Sequence, residues 1–188
     1  MWFKKLNDGS GFTLAELLVA MTITGVLMAA IYSAYMSQKK SYKIQSDTAA
    51  VQQNLRAAMY YLQREVRMAG YNPRGTASVG FTNISSSTQS NISFSWDANE
   101  NGTYDAATEL ISYRYNAGIG TLERQVGTSG WQVVAEKITG ASFTFLDSSG
   151  NPTMIAGNVR SVNIALTASE GTHSRQLSCE VVCRNIGL

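Results

Sequence analysis

The sequence has little of what most catalytic and metal-binding sites are built from. Its 188 residues include one histidine, His173, together with two cysteines and two prolines. His173 lies among Gly171, Thr172 and Ser174, a composition that predicts a turn. No paired-histidine metal spacing, glycine-rich phosphate loop or nucleophile elbow occurs. The sequence therefore predicts a protein that is not an enzyme.

Charge is also scarce, which argues against nucleic-acid binding. Charged residues make up 15% of the chain, and the formal net charge is +2 at pH 7. A nucleic-acid-binding domain usually presents a concentrated basic patch with interleaved aromatic residues, and no such cluster is found. We therefore expect no nucleic-acid partner.

The two cysteines, Cys179 and Cys183, alternate with Leu177 and Val181 as on the inward face of a strand. Along an extended strand their Cα atoms would be about 13 Å apart, which is too far for a disulfide. This spacing favours two buried thiols. The alternative is a disulfide of an exported protein, which would need a sharp bulge or bend in the segment.

A long apolar run near the amino terminus is the dominant feature of the chain. The nineteen residues from Leu17 to Tyr35 contain no charged side chain. As a helix they would be roughly 28 Å long, close to the hydrocarbon thickness of a bilayer. Glu16 stands at the head of this run, one helical turn after Phe12 and on the same face. A carboxylate at the head of a membrane span needs a partner and is a functional candidate.

The segment Gly11-Phe12-Thr13-Leu14-Ala15-Glu16, preceded by a leader with Lys4 and Lys5, resembles the amino terminus of type IV prepilins and type II secretion pseudopilins. The resemblance implies that a prepilin peptidase/methyltransferase removes residues 1–11, cutting between Gly11 and Phe12, and methylates the new amine of Phe12. It also implies that Glu16 meets the amino terminus of a neighbouring subunit during assembly. The alternatives are a signal peptide, which lacks its small-x-small cleavage site after the run, and a plain signal anchor.

Apolar residues continue at helical spacing beyond the run, at Val51, Leu55, Ala58, Leu62, Val66 and Ala69. Gly70 suits the end of a helix, and Pro73 prevents continuation. We therefore predict one helix from Phe12 to Ala69. Residues 12–35 form its membrane or filament-core half and residues 36–70 its amphipathic half.

Segments with strand-like alternation follow, separated by turn residues. The predicted strands are Asn91–Trp96, Leu110–Asn116, Thr121–Val126, Gln132–Glu136, Ala141–Leu146, Val159–Thr167 and Arg175–Cys183. Residues 76–89 predict a loop with at most one short strand. The predicted fold is α+β and pilin-like, with a long helix packed on an antiparallel sheet that forms a globular domain over residues 71–188.

Two further segments, Leu62–Pro73 and Phe94–Asp97, resemble the PilW type of minor pilin, which is related to the J-type pseudopilin of type II secretion. This resemblance implies a structural subunit that joins or primes a type IV pilus or a pseudopilus. The implied partners are other major and minor pilins or pseudopilins, an inner-membrane assembly platform and membrane lipid. The implied location is the bacterial inner membrane, with one span and a periplasmic globular domain, and then the filament.

One loop resembles a calcium site. Short oxygen-bearing side chains alternate at Asp97, Asn99, Asn101, Thr103 and Asp105, as in the first nine positions of an EF-hand loop. The twelfth position is Thr108, and the acidic residue Glu109 comes one position late. The loop therefore predicts either a weak calcium site or a plain hairpin loop of turn-forming residues. A calcium site would favour an alternative function, a membrane-anchored calcium-binding or adhesive module.

Overall fold

A computed structural model describes residues 11–171 and 173–186 of the chain. The predicted leader, apart from Gly11, lies outside the described residues. The structure divides into two compact units between Ser46 and Asp47. One helix, α1, contributes residues to both units.

Helix α1 extends over Leu14–Val66, which is 53 residues. It begins later than predicted because Thr13 caps it: the Glu16 N–H donates to Thr13 Oγ1 at 3.3 Å, and the Thr13 N–H donates to Glu16 Oε2 at 2.9 Å. It ends earlier than the predicted Ala69 because the chain turns before Gly70. Gly70 has a φ of +78°, and a Cβ there would lie 2.6 Å from Ile186 Cγ1. Gly70 therefore closes the turn that follows the helix, in a conformation that favours glycine.

The first unit contains the apolar part of α1. All residues from Gly11 to Lys43 are exposed. The most apolar window of 18 residues in the helix has a mean hydropathy of 2.1, and no residue of that window is buried. By length and composition, α1 is the one helix within the described ranges that could cross a membrane. An apolar surface of this extent needs lipid or protein to cover it.

The second unit has its own hydrophobic core. From α1 it takes Val51, Leu55, Ala58, Met59, Leu62 and Val66, so the predicted apolar stripe is confirmed. These side chains pack with buried residues of the strands. The helix therefore lies on the strands through one face, as its spacing predicts.

Within residues 11–171 and 173–186, nine strands follow the helix, and they are antiparallel wherever they pair. Their bounds are β1 Phe81–Thr82, β2 Thr88–Gln89, β3 Asn91–Ser95, β4 Leu110–Asn116, β5 Thr121–Val126, β6 Gln132–Ala135, β7 Ile138–Leu146, β8 Ser161–Glu170 and β9 His173–Val182. A short 3₁₀ helix, Ala156–Asn158, precedes β8.

The predicted α+β fold, a long helix packed on antiparallel strands, is confirmed, but the strands form two sheets rather than the one sheet expected. One sheet has the order β1-β3-β4-β5-β6, and the other has the order β2-β7-β8-β9. After β6 the chain passes to the second sheet through Glu136 and Lys137, where Lys137 takes a φ of +59°. The two sheets share a core at Phe81, whose ring centroid lies 6.0 Å from that of Phe94 and 5.6 Å from that of Phe145. Edge-on aromatic contacts of this kind join the sheets through side chains rather than hydrogen bonds.

Several predicted strand ends also needed correction, whereas β4 and β5 match their predicted bounds. Strands β3 and β6 each end one residue early, and β7 begins at Ile138 rather than Ala141. Strands β8 and β9 pair as far as Glu170 and His173. Gly171 takes a φ of +58°, which permits a tight hairpin connection there. His173 therefore begins a strand instead of lying in a turn.

The cysteine segment alternates as predicted. Leu177 and Cys179 are half-buried, and Val181 and Cys183 are buried. Both thiols are free in the structure, and burial raises the pKa of Cys183 to about 12. The favoured prediction of two buried thiols is confirmed for Cys183, whereas Cys179 is only half-buried.

Candidate functional site

The first candidate site lies at the head of α1. Phe12, Glu16, Leu17, Ala20, Met21 and Thr24 line one shallow groove of about 440 Å³. Phe12 and Glu16 therefore share a helix face, as their spacing predicts. The side chain of Phe12 is 89% exposed. An apolar side chain and a carboxylate are thus presented together at the surface.

The Glu16 side chain is hydrogen-bonded to Thr13, the residue that caps the start of its own helix. Its Oε2 atom accepts hydrogen bonds from Thr13 N at 2.9 Å and from Thr13 Oγ1 at 2.8 Å. Its Oε1 atom has no hydrogen-bond donor among residues 11–171 and 173–186. The carboxylate is therefore oriented by Thr13 and still has one oxygen available to a cation. We did not predict this role of Thr13, although a Thr followed three residues later by Glu is a capping-box signal that could have shown it.

The second candidate site is the predicted calcium loop. Asp97 is fully buried, and its two carboxylate oxygens accept the N–H groups of Asn101 at 3.2 Å and Gly102 at 2.9 Å. Glu109 is also buried, and it accepts the N–H groups of Ala98 and Asp105, each at 3.0 Å. Both buried carboxylates thus order the backbone of the loop.

The other predicted ligands also bond within the loop. Asn99 Oδ1 accepts Asn101 N–H at 3.0 Å, and Asn101 Oδ1 accepts Thr103 N–H at 2.8 Å. Asp105 accepts Ala107 N–H and the Thr108 hydroxyl. The described part of the chain contains no group of three or more His, Cys, Asp or Glu side chains placed to hold a metal. The oxygens retain further lone pairs, so calcium binding stays a prediction.

The loop is attached to the segment that follows α1. Tyr71 Oη donates to Glu100 Oε1 at 3.1 Å, and Arg74 Nε donates to the Glu100 carbonyl at 2.6 Å. The hydrogen bond to Glu100 raises the pKa of Tyr71. These contacts make the loop and the helix-to-sheet connection one structural element.

A polar network joins α1 to the first sheet, and sequence reasoning missed it. Tyr113 is fully buried on β4, and its hydroxyl donates to Glu65 Oε2 at 2.6 Å. Arg124 on β5 donates to Glu65 through Nε and through Nη2, the latter at 2.8 Å. Burial and the bond to Glu65 raise the pKa of Tyr113, and the bond to Glu65 raises the pKa of Arg124. The network orients the helix on the sheet.

A second network lies on the outer face of the same sheet. Arg114 Nε donates to Glu123 Oε2 at 2.7 Å, and Asn116 Nδ2 donates to Glu123 Oε1 at 3.1 Å. The Arg114 guanidinium also lies 4.0 Å from the ring centroid of Trp131, within the range of a cation–π contact. The hydrogen bond from Arg114 lowers the pKa of Glu123. This network ties β4 to β5 and to the connection before β6.

The chain combines an exposed apolar helix, which has a carboxylate near its head, with antiparallel sheets that follow it. This combination defines a pilin-like protein. The family model for the prokaryotic N-terminal methylation motif matches residues 7–32. The model described as prepilin peptidase-dependent protein B matches residues 44–183, so the chain belongs to that family. No curated protein and no solved structure matches the chain.

These matches confirm the predicted resemblance to a pilin- or pseudopilin-like minor pilin. The methylation motif includes Gly11, Phe12 and Glu16, and it implies processing by prepilin peptidase and pilin-like assembly. The roles of the individual residues in cleavage and assembly stay predictions.

Proposed function

We propose that the protein is a non-catalytic minor pilin or pseudopilin that incorporates into, or primes assembly of, a type IV pilus or a type II secretion pseudopilus. The observation that carries the proposal is the exposure of the apolar part of α1 all round its circumference. A helix with apolar side chains on every face is stable in lipid or among other apolar helices. A pilin-like subunit meets lipid before assembly and neighbouring helices afterwards.

Glu16 gives this helix its specificity for a neighbour. A carboxylate that enters an apolar environment needs a cation nearby, since burying an unpaired charge is very unfavourable. Cleavage after Gly11 creates a positively charged amine on Phe12. The free Oε1 atom of Glu16 can accept that amine from an adjacent subunit while Oε2 remains bonded to Thr13. Each added subunit would then neutralise the Glu16 carboxylate of its neighbour, which lipid alone cannot neutralise.

The proposal places the unassembled chain in the bacterial inner membrane with its second unit in the periplasm. Its partners there are the prepilin peptidase, other pilins or pseudopilins and the inner-membrane assembly platform. The roles of the buried polar groups support a structural subunit. The Glu65 network joins the helix to a sheet, and the Glu123 network joins strands within that sheet.

Replacing Glu16 with Ala tests the proposal. The variant should insert into the membrane at least as well as the wild type, because a charge has been removed from an apolar helix. The amount of the variant that is incorporated beside other subunits should fall, because the Phe12 amine of the neighbouring subunit loses its carboxylate partner. Insertion is measured by membrane fractionation, and incorporation by quantifying the protein in sheared filaments.

Thr24→Ala provides a matched control on the same helix face. The Thr24 hydroxyl donates to the Ala20 carbonyl of its own helix at 2.7 Å, so its loss should leave incorporation near the wild-type level. Equal incorporation of Glu16→Ala, Thr24→Ala and the wild type would show that the proposed pair between subunits is not needed.

A further inference from the structure

The solvent-facing side of α1 in the second unit has an unusual composition. We name it the arginine–tyrosine face, and it consists of Arg56, Tyr60, Tyr61 and Arg64 on α1 and of Arg67 directly after the helix, all exposed. At 100° per residue, Arg56, Tyr60 and Arg64 lie within an arc of roughly 80°. The rings of Tyr60 and Tyr61 pack edge to face with centroids 6.2 Å apart. Two large aromatic side chains and three guanidinium groups are therefore presented side by side.

The positive charge of this face is not balanced within the described part of the chain. Glu65 is the only acidic residue from Val51 to Gly70. Its side chain turns away from the face and accepts hydrogen bonds from Tyr113 and Arg124. The described residues show no ion pair for Arg56, Arg64 or Arg67. The face is thus cationic without an internal acidic partner.

Helix stability explains only part of this arrangement. Arg64 lies in the last turn of α1 and Arg67 directly after it, where a positive charge interacts favourably with the helix dipole. That effect fades within one turn, so it does not account for Arg56. Arg64 and Arg67 are also three residues apart, a spacing at which like charges repel. The helix dipole also does not explain why two tyrosines are exposed on this face.

A groove lies beside the face. Tyr61, Val133 and Val134 contribute to its walls, and Glu65, Tyr113 and Arg124 complete it, with a volume of about 510 Å³. Val133 is 53% exposed on β6, which is an edge strand of its sheet. The lining is mostly polar because Glu65 and Arg124 contribute to it, so the groove suits a polar side chain of a partner.

We propose that the arginine–tyrosine face docks an acidic surface of a neighbouring subunit, with a polar side chain of that subunit in the groove beside Tyr61. This proposal rests on the proposed role as a filament subunit. Arginine and tyrosine are the residue types enriched at the energetic centres of protein interfaces. The guanidinium fork pairs with carboxylates in bidentate geometry, which gives the contact its preference for acidic partners.

Site-specific photo-cross-linking in the full-length, membrane-embedded chain tests the proposal. A photoreactive phenylalanine derivative replaces Tyr60, and the same derivative at the exposed Val182 on β9 is the matched control. The cross-linked peptide from position 60 should belong to another filament subunit and carry at least two acidic side chains. Charge reversal at Arg56, Arg64 and Arg67 to Glu should lower the yield about tenfold or more, because like charges across an interface are strongly unfavourable.

Replacing the same three arginines with Lys keeps their charge and should retain most of the cross-linking yield. In the variant with Glu at these three positions, replacing the partner's acidic residues with Lys should restore the yield. If the triple variant fails to fold, the single variant Arg56→Glu is tested instead, because Arg56 lies far from the helix end and its charge does not interact with the helix dipole there. A cross-link to lipid or nucleic acid, to a peptide without acidic residues, or of unchanged yield after charge reversal would overturn the proposal.

Incorporation of the Tyr60 variant into filaments is scored in the same samples. Normal incorporation together with a failed cross-link refutes the docking face and leaves the proposed function standing. Failure of the wild-type chain itself to incorporate refutes both.

Discussion

Glu65 offers the sharpest test of how α1 is held on the sheet. Its replacement by Ala removes the acceptor of the Tyr113 hydroxyl, which is fully buried, and the partner of Arg124. Leaving a buried donor unsatisfied costs about 1–3 kcal/mol. The Arg124 side chain is 24% exposed, so we expect the lost ion pair to add about 1 kcal/mol or less. The free energy of unfolding should therefore fall by about 1–4 kcal/mol.

Tyr113→Phe separates the hydrogen bond from the packing. Alone, it should cost about 1 kcal/mol, the net contribution of a typical hydrogen bond. In the Glu65→Ala background it should cost nothing or stabilise the protein, because it removes the unsatisfied donor. Urea unfolding of a fragment from Asp47 onward measures these effects, since that fragment contains the whole hydrophobic core. Simple addition of the two single effects would refute the account, because coupled side chains should not behave independently.

Two further predictions concern charged groups in the second unit. The hydrogen bond from Arg114 lowers the pKa of Glu123, so its contribution to stability is present above its ordinary pKa of 4.5 and is lost as the pH falls through the lowered value. Glu123→Gln should therefore be less stable than the wild type at neutral pH, and thermal melts should show this gap closing in acid; a gap independent of pH would contradict the assignment. For the 97–109 loop, calcium at a hundredfold above its dissociation constant should stabilise the fold by about 2.7 kcal/mol. Asp105→Asn, at an exposed position, should abolish the rise in melting temperature relative to chelator; no rise in the wild type would leave the loop as a plain turn.

The sequence was most informative where the governing interactions are local. The apolar stripe from Val51 to Val66 and the strands β4 and β5 follow from residue spacing alone, since period and side-chain direction are coupled. The common face of Phe12 and Glu16 follows for the same reason. These elements matched their predictions because short-range periodicity decides which side of a helix or strand is buried.

Contacts between distant residues could not be read in the same way. The edge strand β2 joins the second sheet through the pairing of Thr88 with Thr144, and the Glu65–Arg124 ion pair joins residues 59 positions apart. No local pattern marks either partner. Glu109 illustrates a different difficulty, because its spacing suggested a late calcium ligand, whereas the structure shows its carboxylate bonded to backbone N–H groups. A composition that favours calcium also favours self-bonded turns.

The most direct test of the account is the mass of the amino-terminal peptide of the membrane-extracted protein. We expect a mature chain that begins at Phe12 and carries one added methyl group on its amine. Only cleavage at that position supplies the cation that Glu16 is proposed to meet in a neighbouring subunit. A chain that still begins at Met1, or one cut after the apolar run, would contradict the assignment of α1 as a pilin-type assembly helix.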